Sequence, residues 1–156
     1  MHEEHVFDCR LSWIGAEQGG TTSYEAYSRE YRVEFEGKAP LLGTAAAEFL
    51  GDASLHNPED LLVAALAGCH CLSYLALCSR SKVTVLAYED RAHGVMRVVE
   101  RVLRFTDVLL QPRVTVAKGS DVDLARRLHE KAHRQCFIAA SVNFPVRNEP
   151  TIVEET

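Results

Sequence analysis

Leu61–Leu77 is a run of 17 residues without one charged side chain. Such a run has to be enclosed, by lipid or by the rest of the protein. Its length is at the short limit for a membrane span, and Gly68, His70 and Ser73 sit near its centre. The remaining chain reads as amphipathic strands that need a core of their own, so the run is expected to be a buried helix of a soluble fold. Its start is well marked. Asn57 is a good N-cap, Pro58 a good first helical residue, and Glu59 and Asp60 suit the positive end of the helix dipole. The spacing predicts a helix from Pro58 to about Ser79, roughly 30 Å long and buried nearly all round.

The rest of the chain sets the fold class. With 156 residues, a single domain covering 1–156 is expected, free of repeats and linker-like tracts. Strand-like segments run over Val6–Ile14, Tyr27–Phe35, Thr84–Arg91, Val95–Val99, Val102–Leu110 and Val114–Ala117, then Val142–Val146 and Thr151–Val153. Gly37–Pro40 opens a loop that reaches Gly51–Asp52. Consecutive strands favour an antiparallel meander. A second helix starts at Gly119–Asp121, with Leu124, Leu128, Ala132 and Cys136 on one stripe. The prediction is α+β.

Charge narrows the partners. The net charge of −5 argues against a nucleic-acid binder. The basic run Arg126, Arg127, Lys131, Arg134 has helical spacing and reads as a solvated face. Cysteines at 9, 69, 71, 78 and 136 make an odd count, and His2, Glu3 and Glu4 are wrong for a secretory leader. A reducing cytoplasm is expected, without a membrane partner, where a cysteine pair is more often catalytic or metal-binding than a structural staple.

Cys69 stands inside the apolar helix, and Cys136 follows a different one. Cys69 lies too far from the helix N-terminus for the dipole to activate it, and burial disfavours a thiolate. A reactive Cys69 therefore needs a cation from another element. Arg29 falls in phase with Tyr27, Tyr31, Val33 and Phe35 and is the best candidate, with an edge arginine that snorkels as the rival reading. Glu59 could orient its fork. Yet Glu59 and Cys69 are ten residues apart on one helix, about 15 Å along the axis. One arginine cannot serve both in the same chain, so the spacing predicts that a second chain supplies the partner. These groups permit peroxide reduction. Cys69 attacks the terminal peroxide oxygen, an alcohol leaves, and Cys136 condenses with the sulfenic acid to a disulfide that an external dithiol reduces.

Other readings are weaker. Cys71 and Cys78 point about 200° and 180° away from Cys69 around the helix, as small buried hydrophobes would. His129, His133 and Cys136 at i, i+4 and i+7, with His70, could form a metal site, but no CxxC pair or convergent carboxylate supports it and no metal is expected. A hydrolase using Cys69 with His70 fails because neighbouring helical residues diverge by about 100°.

Several motifs resemble the OsmC/Ohr family, the osmotically inducible and organic hydroperoxide resistance proteins. They are Tyr27–Ser28–Arg29, Phe49–Leu50–Gly51–Asp52, Asn57–Pro58–Glu59–Asp60–Leu61–Leu62, Ala67–Gly68–Cys69–His70 and His133–Arg134–Gln135–Cys136–Phe137–Ile138. The resemblance implies antiparallel sheets around long central helices in an intertwined homodimer with active sites at the subunit interface. It implies thiol-dependent reduction of organic hydroperoxides, with Cys69 peroxidatic, Cys136 resolving and Glu59 as the active-site glutamate, and no metal or organic cofactor. Here Gly19–Gly20 is followed by Thr21–Thr22 where one branch carries its arginine, so that role passes to Arg29, as in the OsmC-like branch. The reductant is a lipoyl protein or another dithiol. A non-catalytic redox-sensing or small-molecule-binding protein of the same fold is the alternative.

Overall fold

The apolar run is helix α1 (Pro58–Arg80) in the computed structural model, which describes residues 3–156. Asn57 caps it: its Oδ1 accepts from the Asp60 N–H at 2.8 Å, and the Asp60 carboxylate accepts from the Asn57 N–H at 3.4 Å. The chain divides into two compact units, one ending at Leu61 and one spanning Leu62–Thr156.

The first unit carries β1 (Arg10–Trp13), β2 (Tyr31–Glu34) and β3 (Leu41–Gly43) as an antiparallel sheet in that order. The two expected strands are shorter than their sequence pattern, because residues 22–27 turn and only Tyr31 onward joins the ladder. β3 was expected to be loop; its three residues pair with β2 although no alternating pattern marks them. The Phe49–Asp52 motif is a backbone device. Leu50 adopts φ 63°, and a Cβ on Gly51 would lie 1.6 Å from the Ala45 carbonyl oxygen.

In the second unit the expected meander is replaced by a single long hairpin bent in the middle. β4 (Val85–Asp90) and β5 (His93–Val99) form one arm; β6 (Val102–Leu110) and β7 (Pro112–Val116) form the other. β5 pairs with β6, and β4 with β7. The bend falls at residues 91–92 and Gln111, where Pro112 has no N–H for the ladder and Asp90 Oδ1 accepts from the Gln111 N–H at 2.7 Å. The tip turns on Glu100 and Arg101, both at positive φ, without the glycine or asparagine that usually signals such a turn. β8 (Val146–Asn148) and β9 (Thr151–Glu154) add parallel to β6 and β7, so the sheets are mixed. Residues 142–145 were expected in strand, but Pro145 delays β8 until Val146.

α2 (Val122–Gln135) is capped by Asp121, which accepts from the Leu124 N–H at 2.8 Å. Two apolar clusters hold the unit together. One joins Tyr74, Leu77 and Cys78 to Val114, Val116, Ala125 and Leu128; the other joins Leu66 to Val108, Leu110 and Val146. α1 is long and apolar enough to cross a membrane, yet Leu66 and Tyr74 have no exposed surface and the helix is built into this core. It is not buried all round, as expected from its composition. Ala64, Ala65, Gly68 and Leu72 stay exposed, Leu72 at 70%. The α+β class is as predicted, and the apolar face left open is the new fact.

Candidate active site

Two thiols meet in the second unit. Cys69 rides on α1, and Cys136 is the C-cap of α2 rather than a residue of its helical stripe, because the backbone turns extended there. Both are free cysteines. The Cys136 thiol neighbours Cys69 closely enough for each to influence the other's ionisation. Burial first, and then the neighbouring Cys69 thiol, push the Cys136 pKa well above the ordinary thiol value, against the opposing pull of the Ala139 N–H, which donates to Cys136 Sγ at 3.4 Å.

The other cysteines stand apart. Cys9 is exposed. Burial and the nearby Asp90 raise Cys71, and burial raises Cys78 against the opposing influence of the neighbouring Tyr74. These shifts make both poor nucleophiles at neutral pH.

A buried imidazole pair, missed in the sequence as anything but a metal candidate, links the two helices beside the thiols. A ring nitrogen of His70 (Nε2) lies 2.9 Å from Nδ1 of His129, one donating and one accepting. Tyr74 stacks on His129 at 3.8 Å and donates its hydroxyl to the Ala125 carbonyl at 3.1 Å. Burial, then His133, draw His70 down to about 4; burial, then His70, draw His129 down to about 3. The signal available in sequence was a histidine inside each helix's apolar face. Among the described residues, no group of three or more His, Cys, Asp or Glu side chains is gathered as a metal centre.

In the first unit Arg29 precedes β2 instead of alternating within it. Its guanidinium stacks on the rings of Tyr24 and Tyr27 and donates to both backbone carbonyls. It borders a cavity of about 390 Å³ that also touches Leu11, Trp13, Tyr31 and Thr44. Trp13 is fixed by its indole N–H to the Ser28 carbonyl, 2.8 Å away. The sequence pattern grouped Tyr27 and Tyr31 with Arg29 but not Trp13 or Tyr24, which come from a separate strand and turn. Glu59 Oε2 is buried without a hydrogen-bond partner, and the carboxylate helps to raise the Tyr31 pKa, after burial. Among the described residues no ion pair joins Arg29 to Glu59. The structure thus brings Cys69 and Cys136 together and leaves Arg29 and Glu59 unpaired.

A family model for OsmC-like proteins matches residues 51–150. Uncharacterized protein YmaD of Bacillus subtilis (strain 168) is 27% identical over 89 residues, which span 55% of this chain and 59% of that protein. The chain therefore matches little more than half the length of this curated relative. An OsmC-like protein of unknown function from Vibrio cholerae superposes with a TM-score of 0.87 at 28% identity, over 95% of this chain and 100% of the other. An organic hydroperoxide resistance protein from Elizabethkingia anophelis has the same fold, with a TM-score of 0.71 at 16% identity over 99% and 100% of the two chains.

Proposed function

The chain belongs to the OsmC-like protein family, and we propose that it is a cysteine-based peroxidase reducing organic hydroperoxides. The observation that carries this reading is the pair of neighbouring free thiols, Cys69 and Cys136. Cys69 attacks the terminal peroxide oxygen, the O–O bond breaks, and the alcohol departs with a proton. The Cys69 sulfenic acid then condenses with the Cys136 thiol, releasing water and leaving a disulfide. Two equivalents of thiol, or one dithiol such as a lipoyl group, restore the pair. Their proximity in the reduced state means little movement is needed to form the sulfur–sulfur bond.

Arg29 and Glu59 act on this pair across a homodimer, Arg29 and Glu59 of one subunit facing Cys69 and Cys136 of the other. Three features support that arrangement. A buried carboxylate oxygen of Glu59 lacks a partner, a costly state that a guanidinium would relieve. Arg29 borders an apolar aromatic cavity suited to the body of an organic peroxide. The exposed Ala64, Ala65, Gly68 and Leu72 give α1 an apolar face for a second copy. The 1–156 chain acts as one functional domain within that dimer, in a reducing cytoplasm.

Complementation tests the arrangement. Cys69→Ser and Arg29→Ala proteins, each inactive alone, are unfolded together and refolded as a mixture. If arginine and thiol come from different chains, half the dimers are mixed and one of their two sites is intact, so about a quarter of wild-type peroxidase activity returns. No recovery in verified mixed dimers would sink the cross-subunit site. The alternative, redox sensing without turnover, draws on the high Cys136 pKa, which slows resolution. It predicts one oxidation per thiol pair and no sustained consumption of peroxide with excess dithiol.

A further inference from the structure

The β5–β6 arm ends in a tip that is at once apolar and basic. β8 joins β6 only along Val108–Leu110, so from Phe105 to the turn the arm is two strands, with no third beside them among the described residues. Residues 97–104 hold three arginines, one glutamate and four aliphatic side chains, a local charge of +2 in a chain of net charge −5. Directly opposed residues share a face. Arg97 with Arg104 and Val99 with Val102 lie on one, Val98 with Leu103 on the other. Val98, Val102 and Leu103 are 70%, 59% and 44% exposed, so apolar surface is open on both faces. Among the described residues none of the three arginines has a carboxylate partner, and Arg97 donates to the Thr106 hydroxyl at 2.8 Å.

Fold stability accounts for little of this. Two arginines directly opposed across strands repel each other. Charge on open strand edges guards against stray pairing, but one acid opposite one base would guard them without the repulsion, and exposed valines work against it. A second copy or a protein partner laid on the tip would cover one face. A tip that is apolar on both faces, with cations between, suits immersion: aliphatic groups among acyl chains, guanidiniums reaching back to headgroup phosphates. We propose that the β5–β6 tip docks on an anionic lipid surface. Val98, Val102 and Leu103 enter the interface, and Arg97, Arg101 and Arg104 meet the phosphates. Charges separated by more than about 8 Å are screened at physiological salt, so the positive tip, not the negative chain, governs the approach. The expectation of no membrane partner followed from leader and span signals, and a peripheral tip gives neither. Docking needs no thiol chemistry and stands or falls apart from the peroxidase reading.

The probe is a vesicle of mixed phosphatidylglycerol and phosphatidylcholine, with pure phosphatidylcholine as control, in co-sedimentation with the full chain. The expected result is binding to the anionic vesicles alone. Arg97→Gln/Arg101→Gln/Arg104→Gln, and separately Val98→Ser/Leu103→Ser, should each weaken it about tenfold or more. Circular dichroism confirms that both variants are folded. Insertion is read by Val102→Trp, whose added fluorescence should be quenched by lipids brominated on their chains, beyond the signal of the native Trp13. No sedimentation of the wild type with anionic vesicles would overturn the proposal. So would equal binding in wild type and both variants, which would put the lipid contact elsewhere. Loss in the arginine variant alone, with Val102→Trp unquenched, would mean charge attraction without insertion, and the docking proposed here fails. If either variant changes the oligomer size in gel filtration, a second copy covers the tip and the proposal fails. Binding to soluble polyglutamate as tight as to the vesicles would assign the arginines to an acidic protein and also overturn it.

Discussion

Cys136, the residue that ends α2, lies beside Cys69 in the middle of α1. Burial, more than this neighbour, makes Cys136 the slow partner of the pair. Its raised pKa leaves only a small fraction as thiolate at pH 7, and each pH unit raises that fraction about tenfold. Conversion of the Cys69 sulfenic acid to the disulfide is therefore expected to accelerate steeply between pH 6 and pH 9. Dimedone trapping at timed intervals, read by mass spectrometry, measures it. A pH-independent rate would show that Cys136 is ionised, or relieved of its proton, in the oxidised intermediate.

Arg29→Ala should lower kcat/KM for an organic hydroperoxide on the order of 100-fold, through lost orientation and charge stabilisation. Lysine should restore little, because the planar fork that stacks on Tyr24 and Tyr27 is lost. Steady-state kinetics with cumene hydroperoxide decides this. Activity within twofold of wild type in Arg29→Ala would remove Arg29 from the site.

The His70–His129 pair predicts an acid limit to stability. Both pKa values are depressed in the fold, to about 4 and about 3, while the unfolded chain takes up protons near the ordinary value of 6.5. Stability is full above about pH 6.5 and falls as acid charges the unfolded imidazoles but not the folded ones. The loss develops down through pH 4 and reaches on the order of 3 kcal/mol per histidine. Urea unfolding from pH 8 to pH 4 tests this, and His129→Gln should flatten the profile. A variant with the wild-type slope would place the acid sensitivity elsewhere.

Two substitutions separate packing from chemistry. Tyr74→Phe removes the 3.1 Å bond to the Ala125 carbonyl and is expected to cost about 1 kcal/mol. Gly51→Ala drives a methyl group into the Ala45 carbonyl oxygen and should cost about 3 kcal/mol or more. Denaturant midpoints give both values. A neutral Gly51→Ala would mean the Phe49–Asp52 turn rearranges freely.

Helix α1 was legible because its signals agree: Asn57, Pro58 and Asp60 at the cap, then an uncharged run. Its open face was not. Composition reports that a helix needs cover, not whether its own chain supplies it. The bent hairpin escaped the strand pattern because its tip, Glu100–Arg101, lacks turn residues and its bend lies at an ordinary Gln111–Pro112 step. Likewise Arg29 fits an alternating pattern that the backbone abandons before Tyr31, where stacking on two tyrosines decides its place. Cys69 and Cys136 were singled out by their settings and motifs, and their proximity by the fold. His70 and His129 lie 59 residues apart, a separation at which only the packed helices reveal a pair.

The most direct measurement is stopped-flow oxidation of the reduced protein by cumene hydroperoxide and by hydrogen peroxide, in wild type, Cys69→Ser and Cys136→Ser. The account predicts fast oxidation that prefers the organic peroxide, is abolished in Cys69→Ser, and halts at sulfenic acid in Cys136→Ser. Slow oxidation that is indifferent to Cys69 would contradict it.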